Sequence, residues 1–166
     1  MTGRGKMTYR DGGVYEGEWL DGLKNGEGRC TASDGSYYEG RYKEDKKHGY
    51  GELNLVKQPG AMIAVSYKGN WENDKRHGSG REVSSTGEVY DGDWHQDQRQ
   101  GQGTLTCSNG DIYIGHFRKD KYYGKGKMTW KSLTDKQDAY YEGDWCEHKR
   151  HGEGLDVDFN GDKYQG

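Results

Sequence analysis

The strongest constraint on this chain is a pentapeptide, Tyr-x-Gly-x-aromatic, that keeps returning. It stands at 15–19, 38–42, 67–71, 90–94, 113–117 and 141–145, and Tyr164 to Gly166 opens a seventh copy. The second aromatic is Trp19, Tyr42, Trp71, Trp94, Phe117 and Trp145 in turn, and seven residues after each comes a Gly-x-Gly, from Gly26 and Gly28 to Gly152 and Gly154. Successive first tyrosines lie 23, 29, 23, 23, 28 and 23 residues apart, so the period is 23 with six extra residues once and five once. A fixed spacing of this size marks a repeat architecture, which decides the fold class before any single segment is read.

In Tyr-x-Gly-x-Trp the first, third and fifth residues share a parity. An extended chain therefore puts both rings and the glycine on one face and the charged pair on the other, the signature of a strand. Gly-x-Gly then starts a second strand whose glycines share a face and leave flat ground for a neighbouring ring. Only 29% of the 166 residues are hydrophobic, while 29 are glycine and 13% are aromatic, so rings on glycines have to replace an aliphatic core. A net charge of -3 is too small, and the ring spacing too regular, for a disordered chain.

Between the two strands a six-residue polar loop is expected, as at 20–25 and 43–48. The second strand closes on Asp11-Gly12, Asp34-Gly35, Thr86-Gly87, Asn109-Gly110 or Asn160-Gly161, dipeptides suited to the positive φ of tight hairpins. The expected fold is all-β with almost no helix: an elongated, twisted antiparallel β-meander or solenoid of about seven β-hairpin repeats. It reads as a single array over 1–166, with a half repeat at 1–14, repeats starting at 15, 38, 67, 90, 113 and 141, and a partial repeat at 164–166.

The two long steps both fall between the second strand of one repeat and the first of the next. In 52–67, Pro59 and Gly60 suit a turn, and Leu53, Leu55, Ile63 and Val65 share the parity of the aromatic face and form an apolar tongue. The second, 127–141, is more polar, with its tip expected around Thr134–Gln137. After Gly154, Leu155, Val157 and Phe159 have the opposite parity, which calls for a bulge or for burial of the other face.

Tyr-x-Gly-x-Trp, then Gly-x-Gly, then Asp-Gly or Asn-Gly before the next Tyr closely resembles the MORN (membrane occupation and recognition nexus) repeat, over essentially the whole chain. Tyr42 and Phe117 replace the usual Trp, and Gln100 replaces the usual His ahead of Gly-x-Gly. The resemblance implies a non-enzymatic adaptor or scaffold. Proteins of this kind occur in cytoskeletal and ciliary or flagellar assemblies including radial spokes, at membrane junctions, and as regulatory segments of larger enzymes. At least one kind grips a helical tail along its sheet groove.

Candidate sites follow from the faces. Tyr15, Trp19, Tyr38, Tyr42, Tyr67, Trp71, Tyr90, Trp94, Tyr113, Phe117, Tyr141 and Trp145 line the aromatic face, some as core on glycine and the rest as a groove for an extended peptide or an amphipathic helix. The opposite face, with Glu16, Glu18, Asp91, Asp93, Glu142 and Asp144, reads as a solubility surface. Lys46, Lys47, Lys75, Arg76, Arg99, Lys149 and Arg150 recur in loops and form a stripe that can meet acidic phospholipid, although acidic residues interleave with them and simple solvation explains them as well. A pI near 6.1 argues against nucleic acid.

The Gly-x-Gly pairs lie inside strands with no helix after them, so no nucleotide site, catalytic residue or cofactor is expected. Cys146, His148 and His151 match no closed zinc spacing, and His48, His77 and His151, each just ahead of Gly-x-Gly, read as structural groups bonding the loop backbone. Cys30, Cys107 and Cys146 are odd in number and scattered, which fits a reducing, cytoplasmic setting rather than a disulfide framework. Residues 1–13 carry neither an apolar run nor a cleavage-like site, and no stretch reaches the roughly 18 apolar residues of a membrane span. The half repeats at both ends expose strand edges through which the chain can self-associate, or mark it as a fragment of a longer array.

Overall fold

The computed structural model describes residues 2–57, 65–134 and 136–166. Pro59, Gly60 and Ile63 of the first long hairpin lie outside them. The chain divides into two compact units, Met1–Thr86 and Gly87–Gly166. The first holds β1 (Gly3–Thr8), β2 (Val14–Leu20), β3 (Leu23–Thr31), β4 (Tyr37–Lys43), β5 (Lys46–Asn54), β6 (Ser66–Glu72) and β7 (Lys75–Val83). The second holds β8 (Val89–His95), β9 (Gln98–Thr106), β10 (Ile112–Arg118), β11 (Lys121–Trp130), β12 (Ala139–Cys146), β13 (Lys149–Val157) and β14 (Lys163–Gln165). In each unit consecutive strands pair antiparallel in chain order, the all-β meander of hairpins that the period predicts. Among the described residues there is no helix.

Each hairpin is built the same way. The Gly of Tyr-x-Gly-x-Trp faces the second Gly of Gly-x-Gly, as Gly17 faces Gly28 and Gly143 faces Gly154. The first Tyr folds its ring over this pair: a Cβ on Gly28, Gly51, Gly80, Gly103, Gly126 or Gly154 would lie under 3.0 Å from that ring. Its hydroxyl donates to the carbonyl three residues on, from Tyr15 to Glu18 at 2.9 Å through Tyr141 to Asp144 at 3.2 Å. Burial, with the negative charge of Glu18 nearby, pushes the Tyr15 phenol up to about 12.

Two expectations about local geometry are corrected. The six-residue loop is a two-residue turn, because the strands run on to meet it: Asp21-Gly22, Glu44-Asp45, Asn73-Asp74, Gln96-Asp97, Lys119-Asp120 and Glu147-His148 each carry φ between 49° and 85°, the pattern of a type I′ hairpin. The Asp-Gly and Asn-Gly dipeptides instead make the wider connection. There Gly12 alone has positive φ, its amide donates to Tyr9 O at 3.1 Å, and Tyr9 N donates to Gly13 O at 2.8 Å.

The two glycines of Gly-x-Gly also do different things. The second lies under the Tyr; the first, such as Gly26 at φ 77°, makes the bulge that shifts register between Gly17 and Trp19. A bulge leaves an amide unpaired, and a carboxylate from the preceding strand accepts it: Glu27 N donates to Glu18 at 3.2 Å, Gln102 N to Asp93 at 3.1 Å and Glu153 N to Asp144 at 3.3 Å. These acids therefore serve the fold as well as solubility.

In the last full hairpin the glycine register is kept, since Gly143 still faces Gly154. Leu155 and Val157 thus stand on the polar face, and Asp156 takes the place opposite Tyr141. Of the two explanations left open by the sequence, burial of the other face holds at Val157, which is 2% exposed.

Candidate functional site

All twelve rings predicted on the aromatic face are there, and none is more than 6% exposed. Several contacts close over them. Within a repeat the two rings meet edge to face, with centroids 5.0 Å apart for Tyr15–Trp19 and 5.2 Å for Tyr38–Tyr42. Within each unit a first Tyr also meets the second aromatic of the next repeat, at 5.2 Å for Tyr15–Tyr42 and 5.4 Å for Tyr38–Trp71 in the first, and 5.0 Å for Tyr90–Phe117 and 5.5 Å for Tyr113–Trp145 in the second. Indole N–H groups are satisfied by backbone, Trp71 donating to Gly51 O at 3.2 Å and Trp145 to Gly126 O at 2.9 Å. The rings are core in the isolated chain; no open aromatic groove remains between them.

A cation from the start of each second strand except β11, which has Tyr122 there, lies over the rings. Lys24 stands 5.5 Å from the centroid of Tyr15 and 5.3 Å from that of Tyr42, Lys47 4.9 Å from Trp71, Arg99 5.6 Å from both Tyr90 and Phe117, and Arg150 5.1 Å from Tyr141. Arg76 covers Tyr67 and pairs with Glu82; Arg150 pairs with Asp156, and Arg99 with Asp120 at 3.2 Å. This divides the basic stripe expected from sequence. Lys47, Arg76, Arg99 and Arg150 turn onto the rings, while Lys46, Lys75 and Lys149 remain on the exposed outer positions. Glu82 and Asp156 occupy the place that Cys30, Leu53, Leu105 or Met128 fills elsewhere, so an Arg–carboxylate pair replaces an apolar side chain in two repeats.

The histidines differ among themselves. His77 lies 3.3 Å from Glu72, and His151 gives its carbonyl to the Tyr141 hydroxyl at 3.4 Å. Gln100, in the same position, accepts the Lys119 amide at 3.3 Å, a bond to loop backbone that the sequence led one to expect of the histidines instead. Among the described residues no three His, Cys, Asp or Glu groups gather as a metal site, and Cys30, Cys107 and Cys146 are free thiols.

The polar face carries what sequence reasoning missed. Beside the glycines, a transverse row in the first unit reads Lys6, Glu16, Arg29, Glu39, Glu52, Lys68 and Arg81, all charged, with pairs Arg29–Glu39 at 3.1 Å and Lys68–Glu52 at 3.4 Å. The Asn54 amide, with Lys68 beside it, holds Glu52 below the usual carboxylate range. In the second unit the same row reads Asp91, Thr104, Ile114, Lys127, Glu142, Leu155 and Gln165. There the face forms a groove of about 1120 Å³, floored by the backbone of Gly115, Gly126, Gly143 and Gly154 and flanked by Ile114, Lys125, Lys127, Glu142, Glu153 and Leu155. Ile114 is 55% exposed. Its signal was available in the sequence: it is the one aliphatic residue at a position held elsewhere by Glu16, Glu39, Lys68, Asp91, Glu142 and Gln165.

Compared with known protein families, the chain matches the model of the MORN repeat at residues 1–14, 15–37, 38–54, 67–89, 90–112, 113–134 and 141–155. A comparison with curated proteins returned no match.

Proposed function

Because the chain belongs to the MORN repeat family, whose repeats generally serve as non-catalytic modules binding proteins or membrane lipids, we propose that it is a non-enzymatic adaptor that holds a helical or extended protein segment. The observation that carries this reading is the groove on the polar face of the second unit, where Ile114 and Leu155 stand in a row that is wholly charged in the first unit. The aromatic rings give the groove a stiff back: they fix the strands from the other side and are themselves withdrawn from solvent. A cytoplasmic place in a cytoskeletal or ciliary assembly rests on the family resemblance.

The alternative, a tether to acidic phospholipid, draws support from Lys46, Lys75 and Lys149, which keep exposed positions on the loop edge. It loses the cations that lie over rings or pair with carboxylates.

A photo-crosslinking residue at position 114, with the same residue at position 16 as its counterpart in the first unit, tests the adaptor. In extract from the source cell the first captures a discrete protein and the second does not, and changing Leu155 to Glu abolishes the capture with an unaltered circular dichroism spectrum. Sedimentation with acidic vesicles that is sensitive to salt and lost in a Lys46, Lys75, Lys149 triple alanine variant, without capture at position 114, would favour the tether instead.

A further inference from the structure

The two-residue turns are not merely ends of hairpins. In three of them an aspartate at the second turn position fastens its hairpin to the one before it through two hydrogen bonds. Asp45 accepts the Lys24 amide at 2.8 Å and returns its own amide to Lys24 O at 3.0 Å. Asp74 does the same to Lys47, at 2.9 Å and 3.0 Å, and Asp120 to Arg99, at 3.0 Å and 3.1 Å. The first turn has Gly22 in this place and so has no side-chain acceptor, and one further turn has a different acceptor: His148 stands where four turns have aspartate, and Tyr122 stands where the other second strands have lysine or arginine. Here Nδ1 of the imidazole accepts the Tyr122 amide at 3.5 Å, and His148 N donates to Tyr122 O at 3.3 Å. The imidazole also meets the Tyr122 ring edge to face at 4.6 Å, and that ring is stacked on Tyr113 at 3.8 Å.

We propose that His148 is a pH-sensitive latch: neutral, it fastens the turn between β12 and β13 to β11, and on protonation at Nδ1 it lets that turn go while the aspartate-held turns stay closed. An acceptor nitrogen that gains a proton becomes a donor facing another donor, so the bond from Tyr122 N is lost outright. A carboxylate keeps its acceptor oxygens until far lower pH. The groups facing the imidazole are Glu147 on its own turn, Tyr122 and Lys121 on β11, Arg99 on β9 and Asp120 on the preceding turn. His148 is exposed, yet partial desolvation, with Arg99 and Lys121 adding like charge, holds the imidazole below its ordinary range, and Asp120 and Glu147 only partly offset this. Glu147 is itself engaged with Lys121 at 3.3 Å. A depressed value for a base means that the folded form prefers the neutral ring. The latch is therefore whole above the unfolded imidazole value of about 6.5 and is lost as pH falls through the lower folded value.

Amide exchange in the intact chain tests this at pH 7.5 and 5.5, with each rate expressed as protection relative to an unstructured peptide at the same pH. The Tyr122 amide is expected to lose several-fold protection on acidification, while Lys24, Lys47 and Arg99 amides keep theirs. His148→Asp should erase the difference, and His148→Asn, whose side-chain oxygen accepts at either pH and whose backbone tolerates the φ of 68°, serves as the second variant. Unchanged Tyr122 protection, an equal fall at Tyr122 and Arg99, or a fall that survives both substitutions overturns the latch.

Discussion

The two units have the same kind of core and differ on one face. In both, tyrosine lies on paired glycines, aromatic rings interlock between repeats, and bulges and turns recur at the same positions. The row beside the glycines tells them apart: seven charged residues from Lys6 to Arg81 in the first unit, against Asp91, Lys127 and Glu142 alone in the second. The rings need close fit and have one solution per repeat. The polar face needs only strand-compatible side chains, so its chemistry is free to vary without disturbing what lies beneath. A difference there is accordingly better evidence for a task than any feature common to all repeats.

The comparison breaks most readily at the shared core. Gly51→Ala in the first unit and Gly126→Ala in the second should each cost about 3 kcal/mol, because the added methyl collides with the Tyr38 or Tyr113 ring. Urea denaturation measures both, and a marked inequality would show that the two cores are not equivalent after all. A smaller effect is expected where the second unit already departs from the pattern. Tyr122→Lys restores the usual cation but removes a ring stacked at 3.8 Å, and should lower stability by roughly 1 kcal/mol. A gain would mean that the aromatic cap is retained for something other than stability. Smallest of all, Lys6→Ala should change the unfolding midpoint by less than about 0.5 kcal/mol, since its partner Glu16 is 3.9 Å away and both side chains are well exposed. If it costs more, the charged row supports the sheet and its interruption in the second unit is a structural matter.

Much of this fold was legible in the sequence because its periods are arithmetic. Tyr15, Gly17 and Trp19 share a parity that belongs to a strand and not to a helix, and the next repeat arrives 23 residues later. What escaped notice depends on a third dimension. Nothing in Gly26-x-Gly28 says that one glycine is a bulge and the other a floor, since both spare the same Cβ. The fate of Lys47 and Arg99 was likewise hidden: a cation in a polar stretch reads as solvated until a ring from the neighbouring repeat is placed below it. The same placement closed the aromatic face, so residues proposed as a binding surface became core. Ile114, by contrast, could have been found by aligning the repeats and asking which position breaks its own column.

Both long connections, between β5 and β6 and between β11 and β12, lie on the side of the Asp-Gly type turns. None interrupts a two-residue turn, where the backbone is fastened to the preceding hairpin at both its amide and its acceptor. Each unit thus has one border of fixed length and one that accepts extra sequence. For an engineer this makes it an asymmetric display frame: a foreign peptide grafted between Trp130 and Ala139 should leave the sheet standing, whereas the same graft between Lys119 and Asp120 should pull two repeats apart.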